Sequence, residues 1–221
     1  MRWRKPSFDL PQRLPVWNAN NEGMKHVVIL AHPAAESFNS SVAKAYALAA
    51  RGLGHEVLVR DLYAMKFDPC LQAGELPVAE SFGPGIDVVA ERAMIGDADA
   101  YILVYPLWLN SPPAILKGYL ERVFGFGFAY GRNGQGPEPL LRGKRLISFT
   151  TSGAPLSWLK ETGSFEAIQT LFDRHFSEMC GLFLVDHVHF GGIVPGIRPD
   201  AVARMMEEVG NNVRKQFGRV Q

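Results

Sequence analysis

Three short stretches combine residues that could hold a ligand through neutral donors: HPAAESFNSS with His32, Ser37, Phe38, Asn39 and Ser40, YPLWLNSPP with Pro106, Leu107, Trp108 and Leu109, and TTSG with Thr150, Thr151, Ser152 and Gly153. In the first, an apolar run gives way to a helical pattern at Ser37 to Ser40. A helix starting there turns its first N–H groups, and the hydroxyls of Ser37 and Ser40, towards an anion such as phosphate. The same residue types are preferred helix caps, so plain capping explains them equally well. The second stretch is apolar for an exposed edge, and its backbone N–H groups beside a greasy wall suit a flat aromatic ligand. The third offers hydroxyls, with Gly153 leaving room for close approach. Together they supply a phosphate end and a planar, apolar end.

Such loops need strands and helices to bring them together. KHVVILAH, HEVLVRDL, AYILVYP, KRLISFTTS and LFLVDHVHF are short apolar runs of the kind that central parallel strands require. Helical spacing separates them, with Val42, Tyr46 and Ala49 after the first run and helices over roughly 86–97, from the prolines of PPAILKGYLERVF, and over about 164–180. A last helix begins near Pro199 and carries Val202, Met206, Val209, Val213 and Phe217 on one face. Five strands alternating with five helices predict a flavodoxin-like α/β three-layer sandwich whose five-stranded parallel sheet has the order 2-1-3-4-5. Ligands then sit outside the carboxyl ends of the strands, around the switch between the first and third. The three loops above are those after strands one, three and four.

The 221 residues suffice for one well-buried domain, expected over 24–221, with 1–23 as an extended arm that shows neither helical nor alternating periodicity. A net charge of +1 gives no electrostatic case for nucleic acid or an anionic membrane. Cys70 and Cys180 are far apart, outside any metal or redox spacing, and no apolar run reaches spanning length or forms a signal peptide. A reduced, cytoplasmic protein without membrane insertion is expected.

HPAAESFN, PLWLNSPPAILKGYLERVF, GFAYG and TTSG resemble the NAD(P)H:quinone oxidoreductase family, from about Lys25 to Gly192. The resemblance implies a cytoplasmic homodimeric flavoprotein, with FAD favoured over FMN, NAD(P)H as co-substrate and a quinone or similar aromatic acceptor reduced by ping-pong hydride transfer. It places His32, Ser37, Phe38, Asn39 and Ser40 around the flavin phosphate and ribityl chain, and Pro106, Leu107, Trp108 and Leu109 along the ring. Thr150, Thr151, Ser152 and Gly153 fall at the pyrimidine edge. It also suggests that Phe124, Phe126, Phe128 and Tyr130 are partly shared with a second copy, and that Arg198 or Arg204 could meet an adenosine. Mammalian members have a tyrosine and a histidine seven and thirteen residues after the second threonine of TTSG. This chain has Trp158 and Ser164, neither able to exchange protons near neutral pH, so no proton relay and no catalytic side chain is assigned.

Other candidates have plain readings. His187 and His189 share a strand face, but no acid or cysteine stands at a metal-like local spacing, so they read as packing or surface residues and Asp186 adds little. Cys180 reads as an inert core thiol, and Trp158 either as a pocket residue or as loop packing. Two other classes stay open: a flavodoxin-type electron carrier, which the near-neutral charge disfavours, and a regulatory subunit of a potassium-efflux transporter.

Overall fold

The computed structural model describes residues 23–78, 82–133 and 136–218, so all but Gly23 of the expected arm lies outside the described residues. The chain runs β1 (Lys25–Leu30), α1 (Phe38–Gly52), β2 (Glu56–Asp61), α2 (Ile86–Ile95), β3 (Ala100–Pro106), α3 (Ala114–Arg122), β4 (Tyr130–Asn133), β5 (Gly136–Pro139), β6 (Arg145–Thr151), α4 (Leu156–Glu161), α5 (Ser164–Ile168), α6 (Phe176–Cys180), β7 (Phe183–Phe190) and α7 (Pro199–Phe217). The main sheet has the order β2-β1-β3-β6-β7 and every pairing in it is parallel. Counting only those five strands, this is the predicted 2-1-3-4-5 order. An antiparallel β4-β5 hairpin, which the apolar pattern did not signal, is inserted before β6.

Strand alternation divides the core in two. Val27, Ile29, Tyr101, Leu103, Tyr105 and Leu146 point to the face covered by α2, α3, α5 and α6. Val28, Ile102, Val104, Ile147 and Phe149 point to the other, where α1 packs through Val42 and Tyr46 and α7 through Val209, Val213 and Phe217. Helices on both faces leave β3 wholly buried, while the edge strands β2 and β7 are only partly covered. The expectation of buried, central-type strands therefore fails at the two edges.

The helix expected over 164–180 is present but uneven: between α5 and α6, Gln169–His175 is π-helical. Between β2 and α2 the described residues include a 3₁₀ turn at Ala73–Glu75. It is pinned to α3 by Arg122, whose buried guanidinium binds both Glu75 oxygens, Asp87 and the Asp68 carbonyl. Phe124 is core, packed edge-on against Tyr101 and Phe128, so that residue is spent within the chain; Phe126, Phe128 and Tyr130 are half-buried around it. Cys70 is exposed and Cys180 buried, both as free thiols, and burial pushes the Cys180 thiol up to about 12.

At the start of β1, His26 is fully buried, with Nδ1 2.7 Å from the Tyr46 hydroxyl and its ring against His55 and Phe217. Burial, then the fields of His55 and Arg145, hold this imidazole down at about 3. With the folded value depressed below the unfolded 6.5, the contribution is complete above pH 6.5 and is lost as pH falls towards 3. The denaturant midpoint should fall over that window, and less steeply in His26→Gln; equal slopes would rule His26 out as the cause.

Candidate functional site

The loops after β1, β3 and β6 meet at the carboxyl edge of the sheet around a cleft of roughly 280 Å³. His32, Ala34, Ser37, Phe38 and Asn39 line it from the first loop, Pro106, Leu107 and Trp108 from the second, Thr151, Ser152 and Gly153 from the third, and Ile193 from the segment after β7. Ala34 and Ile193 carried no sequence signal. Ser40, Leu109, Thr150 and Trp158 do not line the cleft.

The first loop ends at Ser37, the cap of α1, whose Oγ accepts from the Ser40 N–H at 3.1 Å. The Ser40 hydroxyl donates back to the Ser37 carbonyl at 2.7 Å, so the Ser40 hydrogen is spent in the cap, while Ser37 Oγ serves the cap only as an acceptor and keeps its own hydrogen to donate. The N–H groups of Phe38 and Asn39, in the first turn of a fifteen-residue helix, still have no preceding helical carbonyl to bind. Asn39 is 2% exposed; its Oδ1 accepts from the Thr151 hydroxyl at 3.0 Å, tying the first loop to the third, and its Nδ2 is buried without a partner. An orphaned amide donor beside a helix N-terminus fits an anionic or carbonyl oxygen. His32 Nδ1 accepts from the Ala34 N–H at 3.0 Å, which leaves a neutral ring its hydrogen on Nε2.

In the second loop the expectation of free backbone donors fails at Pro106, Leu107 and Trp108. The Leu107 N–H donates to the Thr151 carbonyl at 2.7 Å, Trp108 and Ser111 exchange two N–H···O bonds at 3.0 Å, and Pro106 has no N–H. What this loop gives the cleft is apolar surface, with the Trp108 ring 5.8 Å from His32 between centroids. Leu109 and Asn110 complete the turn with φ of 51° and 53°, left-handed values that Leu adopts at a cost. The turn is held by Asn110 Nδ2 donating to Ser164 Oγ at 3.2 Å, so Ser164 acts as a brace.

In the third loop, a Cβ at Gly153 would meet only Val194 and the Ile193 carbonyl, at 3.8 and 3.9 Å. Close packing thus leaves room for alanine, and the glycine matters only towards the cleft. Ser152 Oγ donates to the Ala154 carbonyl at 2.7 Å and stands 2.9 Å from His189 Nε2. Thr150 points away from the cleft into the sheet, between His187 and His189. These histidines are therefore neither surface groups nor simple packing, as the sequence reading had them. A buried acid, Asp173, stands 2.5 Å from His187, and it went unnoticed because it lies fourteen residues away on a π-helical turn. Arg198 and Arg204 both bind Asp200 on the exposed start of α7, away from the cleft.

A second recess, between the 71–84 segment and α3, is lined by Leu71, Phe82 and Tyr130 together with Arg92 and the paired Glu75 and Arg122. Among the described residues no helix is long and apolar enough to cross a membrane.

Residues 24–213 match the family described as flavodoxin-like fold. A Haemophilus influenzae protein named as an uncharacterized NAD(P)H oxidoreductase is 36% identical over 171 residues, which cover 77% of this chain and 85% of that one. The NAD(P)H dehydrogenase (quinone) 1 of Rattus norvegicus is 35% identical over 203 residues, covering 82% and 73%. Among solved structures, the NAD(P)H:quinone oxidoreductase from Methanothermobacter marburgensis superposes with a TM-score of 0.74 at 25% identity, covering 90% of this chain and 99% of its own.

Leu109 is fully exposed, so its side chain contributes no burial to offset the left-handed backbone. Leu109→Asn should raise stability by about 0.5–1 kcal/mol, since Asn tolerates that conformation. An unchanged denaturant midpoint would show that the turn stores no strain.

Proposed function

Because this chain belongs to the family of flavodoxin-like fold proteins, with relatives named as NAD(P)H oxidoreductases and quinone dehydrogenases, we propose that it is a flavin-dependent NAD(P)H oxidoreductase that reduces a quinone or a similar aromatic acceptor. The observation that carries this reading is the orphaned Asn39 amide in a cleft that is also lined by the apolar wall of Pro106, Leu107 and Trp108. Phosphate and flat ring are what an amide donor and an apolar wall suit, and among the described residues no aspartate, glutamate, lysine or arginine lines the cleft to favour a different ligand.

In this reading Asn39 and the Phe38 and Asn39 N–H groups hold the phosphate and ribityl oxygens, with His32 Nε2–H as a further donor. Trp108 and Leu107 shield the ring from water, and Thr151, Ser152 and Gly153 meet its polar edge. Bound there, a flavin, FAD by the family resemblance, supplies the redox chemistry of taking hydride from NAD(P)H and passing it on. The residues bind, orient and exclude water; a single cleft used first by NAD(P)H and then by the acceptor gives alternating half-reactions. A homodimer is part of the proposal: Ile86, Val89 and Met94 of α2 leave apolar surface for a second copy.

The purified protein should show a flavin spectrum that bleaches anaerobically with NADH or NADPH and recovers with a quinone, and the mass of the released cofactor should be that of FAD. A flavin that stays oxidised would make the protein a carrier or a regulator, and no uptake of flavin would overturn the reading. In Gly153→Trp the indole should fill the cleft, so that flavin occupancy falls at least tenfold with the oligomer unchanged, while Gly153→Ala should bind normally. Full occupancy in the tryptophan variant would remove the third loop from the site.

A further inference from the structure

On the inner face of β6 and β7 a line of polar groups runs from the core to the cleft wall. Asp173 Oδ1 accepts from the Ser148 hydroxyl at 2.7 Å, and its Oδ2 is 2.5 Å from His187 Nδ1. His187 Nε2 is 2.7 Å from Thr150 Oγ1, which is 2.8 Å from His189 Nδ1. His189 Nε2 is 2.9 Å from Ser152 Oγ, and Ser152 reaches the Ala154 carbonyl at 2.7 Å. Asp173, Ser148 and Thr150 are fully buried, the His187 side chain is 2% exposed, and Ser152 lines the cleft. Parallel β6-β7 pairing sets His187 beside Ser148 and His189 beside Thr150, and the π-helical turn carries Asp173 to them.

The hydrogens in this line can be counted. From Asp173 to Ala154 there are five contacts, and each needs one hydrogen. Two neutral imidazoles and the hydroxyls of Thr150 and Ser152 supply only four. A carbonyl only accepts, so the Ser152 hydrogen is committed to Ala154 and His189 must donate from Nε2. His189 Nδ1 then accepts from Thr150, Thr150 accepts from His187 Nε2, and the contact between His187 Nδ1 and Asp173 requires the fifth hydrogen.

We propose that Asp173, His187, Thr150, His189 and Ser152 form a relay that stores one proton on the Asp173 and His187 pair and delivers it at the cleft wall to an acceptor bound there. Delivery to the acceptor rests on the function proposed above; the stored proton does not. Conversion of a quinone to a quinol takes two electrons and two protons, and hydride brings both electrons with one proton. The relay gives the other. Ser152 releases its hydrogen to the acceptor and takes that of His189 Nε2, His189 Nδ1 takes the Thr150 hydrogen, and Thr150 takes that of His187 Nε2. Four hydrogens remain, every bond from His187 Nε2 to Ser152 is reversed, and the contact left empty is Ser152 with Ala154. Water in the vacated cleft returns the proton by the same route.

The surroundings fit this assignment. Burial and the field of His187 hold His189 down at about 4, which keeps that ring neutral. The groups facing the two imidazoles are Asp173 from the π-helical turn, the hydroxyls of β6, the ring of Phe165 from α5 at 5.0 and 5.5 Å, and, across β6, the buried Tyr105 phenol of β3. Burial, reinforced by the charge of Asp173, pushes that phenol well above its usual value, so it stays protonated and does not compete.

Nitrogen NMR of the full-length protein, labelled at histidine and assigned with single His→Gln variants, tests the store without reference to activity. At pH 7 His187 should be protonated on both ring nitrogens, or share its Nδ1 proton with Asp173, and His189 should be neutral with its hydrogen on Nε2. A hydrogen on His189 Nδ1 would mean four hydrogens in the line and would overturn the proposal. Thr150→Val removes the bridging hydroxyl and keeps the side chain's shape. It should scramble the His189 tautomer and slow the quinone half-reaction at least tenfold, with the NAD(P)H half-reaction unchanged. An unchanged quinone half-reaction in this variant would overturn delivery. A wild type with the expected NMR pattern that reduces no quinone would defeat the proposed function and delivery, and leave the store established.

Discussion

A parallel sheet covered by helices on both faces makes a polar side chain costly unless its partner is beside it, because water reaches only the ends of the strands. That constraint arranges the rest of this molecule. It sends the loops that can afford polar groups to the carboxyl edge, where Asn39 from one strand's loop finds Thr151 from another's. Where polar side chains enter the sheet itself, on β6 and β7, each is matched within hydrogen-bond distance by a group on the neighbouring strand or on the helix above.

The fold was legible because the apolar runs are short, strong and separated by helical spacing, and that is the signal buried parallel strands leave. The edge strands and the β4-β5 hairpin were harder to read. LFLVDHVHF is as apolar as a central strand by composition, yet it pairs on one side only, and GRNGQGPEP has little apolar pattern at all. The loops that make the cleft were also visible, since they follow the first, third and fourth apolar runs, where a parallel sheet of this order binds its ligands. How they act was not. The backbone donor expected of Leu107 is consumed by the Thr151 carbonyl on the neighbouring strand, and that of Trp108 by a tight turn whose left-handed residues, Leu and Asn, do not spell the usual glycine signal.

Asp173 shows the limit of local spacing as a guide. Read along the chain, His187 and His189 have no acid near enough to suggest chemistry. The register between β6 and β7 gives each a hydroxyl neighbour, and a helix that runs wide for seven residues turns a carboxylate inward above them. Two of these relations are long-range, and neither has a sequence signature of its own. The two positions at which the resemblance pointed to a relay do not supply one: Trp158 is half-exposed on α4, and Ser164 braces the turn after Trp108.

That brace divides the site into parts of unequal evolutionary freedom. The Asn39 to Thr151 bond belongs to the sheet, and any change there is felt by two strands at once. The turn bearing Leu109 stands clear of the sheet, anchored by its own two backbone bonds and by one side-chain bond from Asn110 to Ser164. Substitutions in that turn leave the strands beneath untouched, so the setting of Trp108 against the cleft can drift on a scaffold that does not have to be reinvented.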